Sequence, residues 1–197
     1  MVGVSNPIMR RDRAQGGRFI AGFGFGLVVA TGAVAAVLVP VSSAAHLAPE
    51  PVRAGVLVVL VVFLGLADLF NRTPHVWRQV PQRLARELND QPGRLGLIWA
   101  VDLGLLVTTQ KTTSLLWIGI AGAVLLGTPV AVVLTLAVAA VLYWLGTAIL
   151  VMTGDDFLTE PHRLGRLGGW AGAARRVAGA AGLGLAAVLA VSTVSLL

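Results

Sequence analysis

The chain has 197 residues, of which 56% are hydrophobic and only 12% carry a charge. Soluble domains usually carry about 25% charged residues, whereas residues 19–45 contain no Asp, Glu, Lys or Arg. This composition excludes an ordinary soluble enzyme and a disordered chain. It predicts an all-α protein, a polytopic bundle of transmembrane helices joined by short segments.

Missing residue types exclude several kinds of chemistry. Without Cys there are no disulfides, thiolate metal sites or thiol relays. None of the three His residues lies inside an apolar run, so a haem held between two membrane-spanning His ligands is excluded. No catalytic set or metal-ligand spacing can be assembled, so we expect no enzyme activity, no cofactor and no metal. The basic residues that give the net charge of +6 flank apolar stretches. That placement is typical of membrane topology and excludes a nucleic-acid partner.

The first helical half is predicted over residues 19–70, after a basic N-terminal segment, 1–18. The apolar run from Phe19 to Ala45 is about twice as long as the 7–15 residues of a signal-peptide core, which favours a retained span over a cleaved signal. Pro49 and Pro51 then mark a turn. A second span follows from about Arg53 to Phe70.

Residues 71–94 are too polar to cross a bilayer. Val80, Leu84 and Leu88 recur at helical spacing, so this segment is either an amphipathic helix on the membrane surface or a solvated loop. Three of its basic residues are predicted to contact lipid headgroups or to dock a cytoplasmic protein: Arg78, Arg83 and Arg86.

The second helical half, 95–152, begins with a 33-residue apolar stretch from Leu95 to Gly127. As one helix it would extend about 50 Å, although the hydrocarbon core is about 30 Å thick. Its centre is a polar run, Thr108–Ser114. The stretch is therefore either one broken or tilted span, or two short spans with Lys111 in the turn between them. A further span is predicted from Pro129 to Met152, then a polar segment, 153–176, and a last span, 177–197.

The distribution of arginine favours five spans over six. Segments 1–18, 71–94 and 153–176 hold four, five and four Arg residues. Lys and Arg collect in cytoplasmic segments, and all three fall on the cytoplasmic side only if Leu95–Gly127 crosses once. We therefore expect a multi-pass protein of the plasma membrane with a cytoplasmic N-terminus. Six spans result if residues 112–127 cross separately.

An internal match predicts two related halves. Phe25–Thr31 and Leu103–Thr109 align at an offset of 78 residues, and each contains Gly-Leu-x-x-x-Thr. This signature, with Arg78–Pro81 after the second span, resembles actinobacterial relatives of the DsbD and cytochrome c biogenesis type of transmembrane protein. The resemblance implies an all-helical fold related to the lysine-exporter superfamily. The thiol-relay members carry Cys in each half and have inverted three-span halves. This chain has no Cys and favours two spans per half, so their electron transfer does not carry over.

Ionisable residues inside apolar runs are costly and are candidates for function. Asp68 has Arg72 four residues later on the same helical face, which predicts an ion pair at the membrane interface. Asp102 would lie about 12 Å into its span, with no partner four residues away. Lys111 would face the opposite side of an unbroken helix from Asp102.

The polar run is the strongest candidate for a functional site, because unwound polar segments at membrane depth line cavities or are buried in protein. A plain external turn is the alternative. The residues predicted to line a solute path or to form buried polar contacts are Asp102, Thr108, Thr109, Gln110, Lys111, Thr112 and Thr113. Two groups of glycines are predicted to allow close helix packing: Gly22, Gly24 and Gly26, and Gly179, Gly182 and Gly184.

Two functional hypotheses follow from these residues. The first is a small membrane protein that takes part in translocating a small polar or charged solute. The second is a non-catalytic subunit or accessory factor of a larger membrane complex. In both cases the partners would be the lipid bilayer and either other membrane subunits or further copies of the chain.

Overall fold

A computed structural model describes residues 13–70, 72, 88, 90–105, 114–153 and 161–194. Within these residues the regular structure consists of six α-helices and no strand, which confirms the predicted all-α class. The helices are α1 (Arg13–Ala45), α2 (Glu50–Leu69), α3 (Pro92–Gly104), α4 (Leu115–Leu125), α5 (Pro129–Thr153) and α6 (Pro161–Val194).

Four of the described helices contain a stretch long and apolar enough to cross a membrane. These stretches are Ala14–Ala45, Glu50–Leu69, Pro129–Ile149 and Gly172–Ser192. Large apolar side chains cover their outer surfaces, and Val28, Val59 and Val188 are each more than 60% exposed. Exposing so large an apolar surface to water would be unfavourable, whereas the apolar lipid tails of a membrane can contact it without cost. The protein is therefore an integral membrane protein whose outer side chains contact the bilayer.

Two helices are described within the apolar stretch from Leu95 to Gly127. α3 has 13 residues and is followed by Leu105 as its C-terminal cap, and α4 has 11 residues and is preceded by Ser114. At 1.5 Å per residue these helices extend about 20 Å and 16 Å. As described, each is shorter than a hydrocarbon core of about 30 Å.

The last helix begins earlier than the hydrophobic pattern predicts. α6 starts at Pro161, within the predicted polar segment, although its apolar stretch begins only at Gly172. A helix needs a continuous ladder of backbone hydrogen bonds rather than an apolar surface, and proline is well tolerated in the first turn. Residues 161–176 of the polar segment and the last span therefore share one helix.

The chain forms two compact units. The first unit contains Met1–Val34, Val76–Gln110 and Ala137–Leu167, and the second contains Ala35–His75, Lys111–Leu136 and Gly168–Leu197. Helices α1, α5 and α6 each contribute residues to both units.

Glycine contacts pack α3 against α1 in the first unit. A Cβ atom on Gly22 would collide with the carbonyl oxygen of Gly93, and one on Gly26 would lie 2.5 Å from the carbonyl oxygen of Leu97. Further along, a Cβ on Gly104 would lie 2.6 Å from the Cβ of Ala30, so the two helices run parallel. This close approach confirms the predicted role of Gly22 and Gly26, whereas Gly24 lies against the indole ring of Trp144 on α5. An apolar core lies beside it: Phe19, Phe23, Leu27, Leu95, Ala100, Leu103 and Val151.

In the second unit, α2 packs against α4 and α6. Leu57 and Val61 of α2 form a buried cluster with Ile118 of α4 and Ala186 of α6. A Cβ on Gly179 of α6 would lie only 2.7 Å from the carbonyl oxygen of Gly65. Gly182 also lies in this contact, which confirms its predicted role, whereas Gly184 faces open space.

Candidate functional site

One face of α2 supplies both the core and a buried carboxylate. The buried residues of this helix recur every three or four positions: Ala54, Leu57, Val61, Gly65 and Asp68. Asp68 therefore continues the apolar packing face, and only 1% of its surface is exposed. Burying a charged group is costly unless hydrogen bonds compensate it.

Ser114 donates two hydrogen bonds to the Asp68 carboxylate. Its backbone N–H lies 2.7 Å from Oδ2 of Asp68, and its hydroxyl lies 2.9 Å from Oδ1. Ser114 is itself fully buried. Hydrogen bonds to an ionised acceptor are the stronger kind, and burial increases their strength. We call this pair of bonds the Asp68 anchor.

The Asp68 anchor also matches the charge distribution of α4. Ser114 is the residue immediately before that helix, where unsatisfied N–H groups make the positive end of the helix dipole. A carboxylate is favoured there, whereas near the C-terminal end of its own helix, α2, it is disfavoured. The start of α4 therefore stabilises the Asp68 carboxylate, whereas the C-terminal end of α2 does not.

Polar groups also hold the opposite end of α4. Arg53, near the start of α2, donates from Nη1 to the carbonyl oxygen of Leu125 at 2.8 Å and from Nε to that of Ala48 at 3.2 Å. The buried Ser42 hydroxyl donates to the carbonyl oxygen of Val124 at 3.1 Å. A cation is favoured at the C-terminal end of a helix. We call the bond from Arg53 to Leu125 the Arg53 anchor, and α2 thus supplies a charge of the favourable sign to each end of α4.

The two anchors lie at opposite ends of α2. Asp68 lies about 22 Å from Arg53 along α2, and Ser114 lies about 16 Å from Leu125 along α4. Asp68 is the last residue but one of Glu50–Leu69, the stretch of α2 that is apolar enough to cross a membrane. The Asp68 anchor therefore lies at the end of this stretch opposite the Arg53 anchor.

The contact with Ser114 takes the place of the predicted ion pair between Asp68 and Arg72. The side chain of Arg72 is exposed, and its backbone N–H donates to the carbonyl oxygen of Ala67. The spacing of four residues brings two side chains together only while the helix continues. Because α2 ends at Leu69, Arg72 no longer follows that geometry.

Most of the other predicted site residues lie outside the described residues. These are Thr108, Thr109, Gln110, Lys111, Thr112 and Thr113 of the polar run, together with Arg78, Arg83 and Arg86. Ser114, the last residue of the polar run, is described and contacts Asp68. Asp102 is half-buried on α3 in the first unit. In the part of the chain that the structure describes, no group of three His, Asp or Glu side chains could hold a metal ion.

No known family, no characterised protein and no solved structure matches the chain. The resemblance to the DsbD and cytochrome c biogenesis type of protein therefore stays a prediction from the short signatures that carry it.

Proposed function

We propose that the protein takes part in translocating a small polar or charged solute across the membrane, along a path that passes the Asp68 anchor. The observation that carries this proposal is a carboxylate, 1% exposed, on a helix apolar enough to cross a membrane and hydrogen-bonded to the residue before a short helix. Ionisable residues in membrane-spanning segments are costly, and they commonly mark solute or ion pathways.

The chain around Ser114 supports the same proposal. Thr112 and Thr113 directly precede Ser114, and Lys111 comes one residue earlier. Transporters bind solutes where helices are discontinuous, because the exposed backbone groups and the helix dipoles there can replace a solute's water shell. The Asp68 anchor lies at such a helix end, next in sequence to donors and acceptors that a polar solute could use.

We further propose that the stretch Leu95–Gly127 crosses once, because all three arginine-rich segments then lie on one side. With the four long apolar helices among the described residues, this makes five crossings. We further propose a plasma-membrane location with the N-terminus in the cytoplasm, because the arginine-rich segments then share one side.

Solute flux into proteoliposomes tests the proposal. Entrapped fluorescent indicators would report H⁺, Na⁺, K⁺ and Cl⁻, and light scattering would report swelling in glycerol and urea. We expect flux of at least one of these solutes, and a loss of about tenfold or more in Asp68→Ala. The matched control is Asp90→Ala, which removes an exposed carboxylate and should leave flux unchanged. Flux that is insensitive to Asp68→Ala, Asp102→Ala and Lys111→Ala would contradict the proposal.

A second candidate function is that of a non-catalytic subunit in a larger membrane complex. Gly32, Gly55 and Gly146 lie on three different helices, and no described atom lies within 4 Å of the Cβ position of any of them. Such positions let a second helix approach closely. Gentle detergent extraction and mass spectrometry separate the two functions: a stoichiometric partner protein favours the subunit, and a homogeneous chain with flux favours translocation.

A further inference from the structure

Two exposed arginines of the first unit lie where the backbones of α1 and α3 are close together. Arg18 lies on α1, and Arg94 lies in the first turn of α3. The carbonyl oxygen of Arg18 lies 3.5 Å from the Cβ position of Gly93, the residue before Arg94. Beside Arg18, no described atom lies within 4 Å of the Cβ position of Gly17, so the surface there is open.

An aromatic residue marks the depth of this pair. The indole Nε1 of Trp144, on α5, donates to the carbonyl oxygen of Ile20 at 3.2 Å, and Trp144 is partly exposed. Tryptophan is enriched at the level of the lipid headgroups. Arg18 lies two residues, or about 3 Å, beyond Ile20 along α1, toward its N-terminus. The Arg18 side chain can therefore reach the phosphate layer.

Among the described residues, no hydrogen bond or ion pair reaches the guanidinium group of Arg18 or of Arg94. An exposed arginine at the headgroup level attracts anionic lipids, and its planar guanidinium group matches phosphate oxygens in two-bond geometry. We propose that Arg18 and Arg94 together bind the phosphodiester of an anionic phospholipid where α1 and α3 pack. This lipid site is independent of the proposed solute path.

Native mass spectrometry of the full-length protein in detergent tests the lipid site. The protein is titrated separately with phosphatidylglycerol and with phosphatidylcholine of the same acyl chains. Each arginine near a membrane surface should contribute about fivefold in affinity, so Arg18→Gln/Arg94→Gln should weaken phosphatidylglycerol binding about 25-fold. Arg18→Lys/Arg94→Lys keeps both charges but loses the two-bond geometry, so it should bind phosphatidylglycerol more weakly than the wild type and more tightly than the glutamine variant.

The matched control is Arg72→Gln/Arg176→Gln, which removes two exposed arginines from the second unit. Binding of phosphatidylglycerol should be preserved in this control, and it should persist in excess inorganic phosphate. Three results would each overturn the site: equal weakening in both double variants, equal binding of phosphatidylcholine by the wild type, or displacement of the lipid by inorganic phosphate. The last would identify a free-phosphate site instead.

Discussion

α3 and α4 come from one continuous apolar stretch, yet they are held in place by different forces. In the first unit, α3 packs on α1 through glycines whose backbones approach too closely for any side chain. In the second unit, no described atom outside α4 lies within 3.5 Å of the Cβ positions of Gly119 and Gly122. The polar contacts of α4 lie at its ends, where Asp68, Arg53 and Ser42 meet it.

This difference between α3 and α4 indicates where the protein could bind a polar solute. Lipid tails are as apolar as leucine, so helices in a membrane associate through close packing or hydrogen bonds. Close packing leaves no room for a solute, whereas a hydrogen bond at a helix end can be exchanged for a bond to water or to a solute. This contrast explains why we assign the candidate site to α4 rather than to α3.

The largest expected effect tests the glycine packing of α3. Gly22→Leu should lower the free energy of unfolding by about 4 kcal/mol, because the side chain would collide with the backbone at Gly93. Gly32→Leu, on the same helix but facing open space, should change it by less than about 0.5 kcal/mol. Unfolding in mixed micelles, followed by circular dichroism, measures both. Equal losses would show that α3 does not depend on close approach.

The Asp68 anchor should give the next largest effect. Asp68→Ala leaves the buried N–H and hydroxyl of Ser114 without this acceptor, and we expect a loss of about 3 kcal/mol. Asp90→Ala removes an exposed carboxylate and should cost less than about 0.5 kcal/mol. The same unfolding assay compares the two variants. A small loss in Asp68→Ala would mean that α4 is held mainly by its apolar contacts.

A smaller loss is expected at the Arg53 anchor. Arg53→Met keeps much of the side-chain volume but removes the bond to Leu125, and it should cost about 1.5 kcal/mol. Arg72→Met, at an exposed position, serves as the control. If both substitutions cost the same in the unfolding assay, the charge at the end of α4 has no stabilising role.

Ser42 and its neighbour allow the finest comparison. Ser42→Ala removes a buried bond to α4 and should cost about 1 kcal/mol. Among the described residues, the Ser43 hydroxyl donates to the carbonyl oxygen of Val39 within its own helix. Ser43→Ala should therefore change stability by only a few tenths of a kcal/mol. A larger loss of stability in Ser43→Ala than in Ser42→Ala would show that the Ser42 hydroxyl does not help to hold α4.

Much of the fold could be predicted from the sequence, because hydrophobic length and turn residues are local signals. A turn before α2 was correctly predicted and ends at Pro49, although Pro51 lies in the first turn of α2 rather than in that turn. The packing role of Gly22, Gly26 and Gly179 was also correct. These features depend on residues close together in the chain or on the general behaviour of small residues in membranes.

The candidate site was harder to predict because it depends on where a helix ends. Asp68 continues the spacing of Leu57, Val61 and Gly65, so the sequence contained a signal for its burial. Its pairing with Arg72 required α2 to extend beyond Leu69. The observed contact is with Ser114, 46 residues later, and no local pattern indicates a contact at that separation.

A double-mutant cycle between Asp68 and Ser114 tests the central claim most directly. The free energy of unfolding is measured for the wild type, Asp68→Ala, Ser114→Ala and the double variant. If the carboxylate holds the start of α4 through Ser114, the coupling energy should be about 1–2 kcal/mol. A coupling energy within about 0.3 kcal/mol of zero would mean that the two residues act independently, and it would contradict the account.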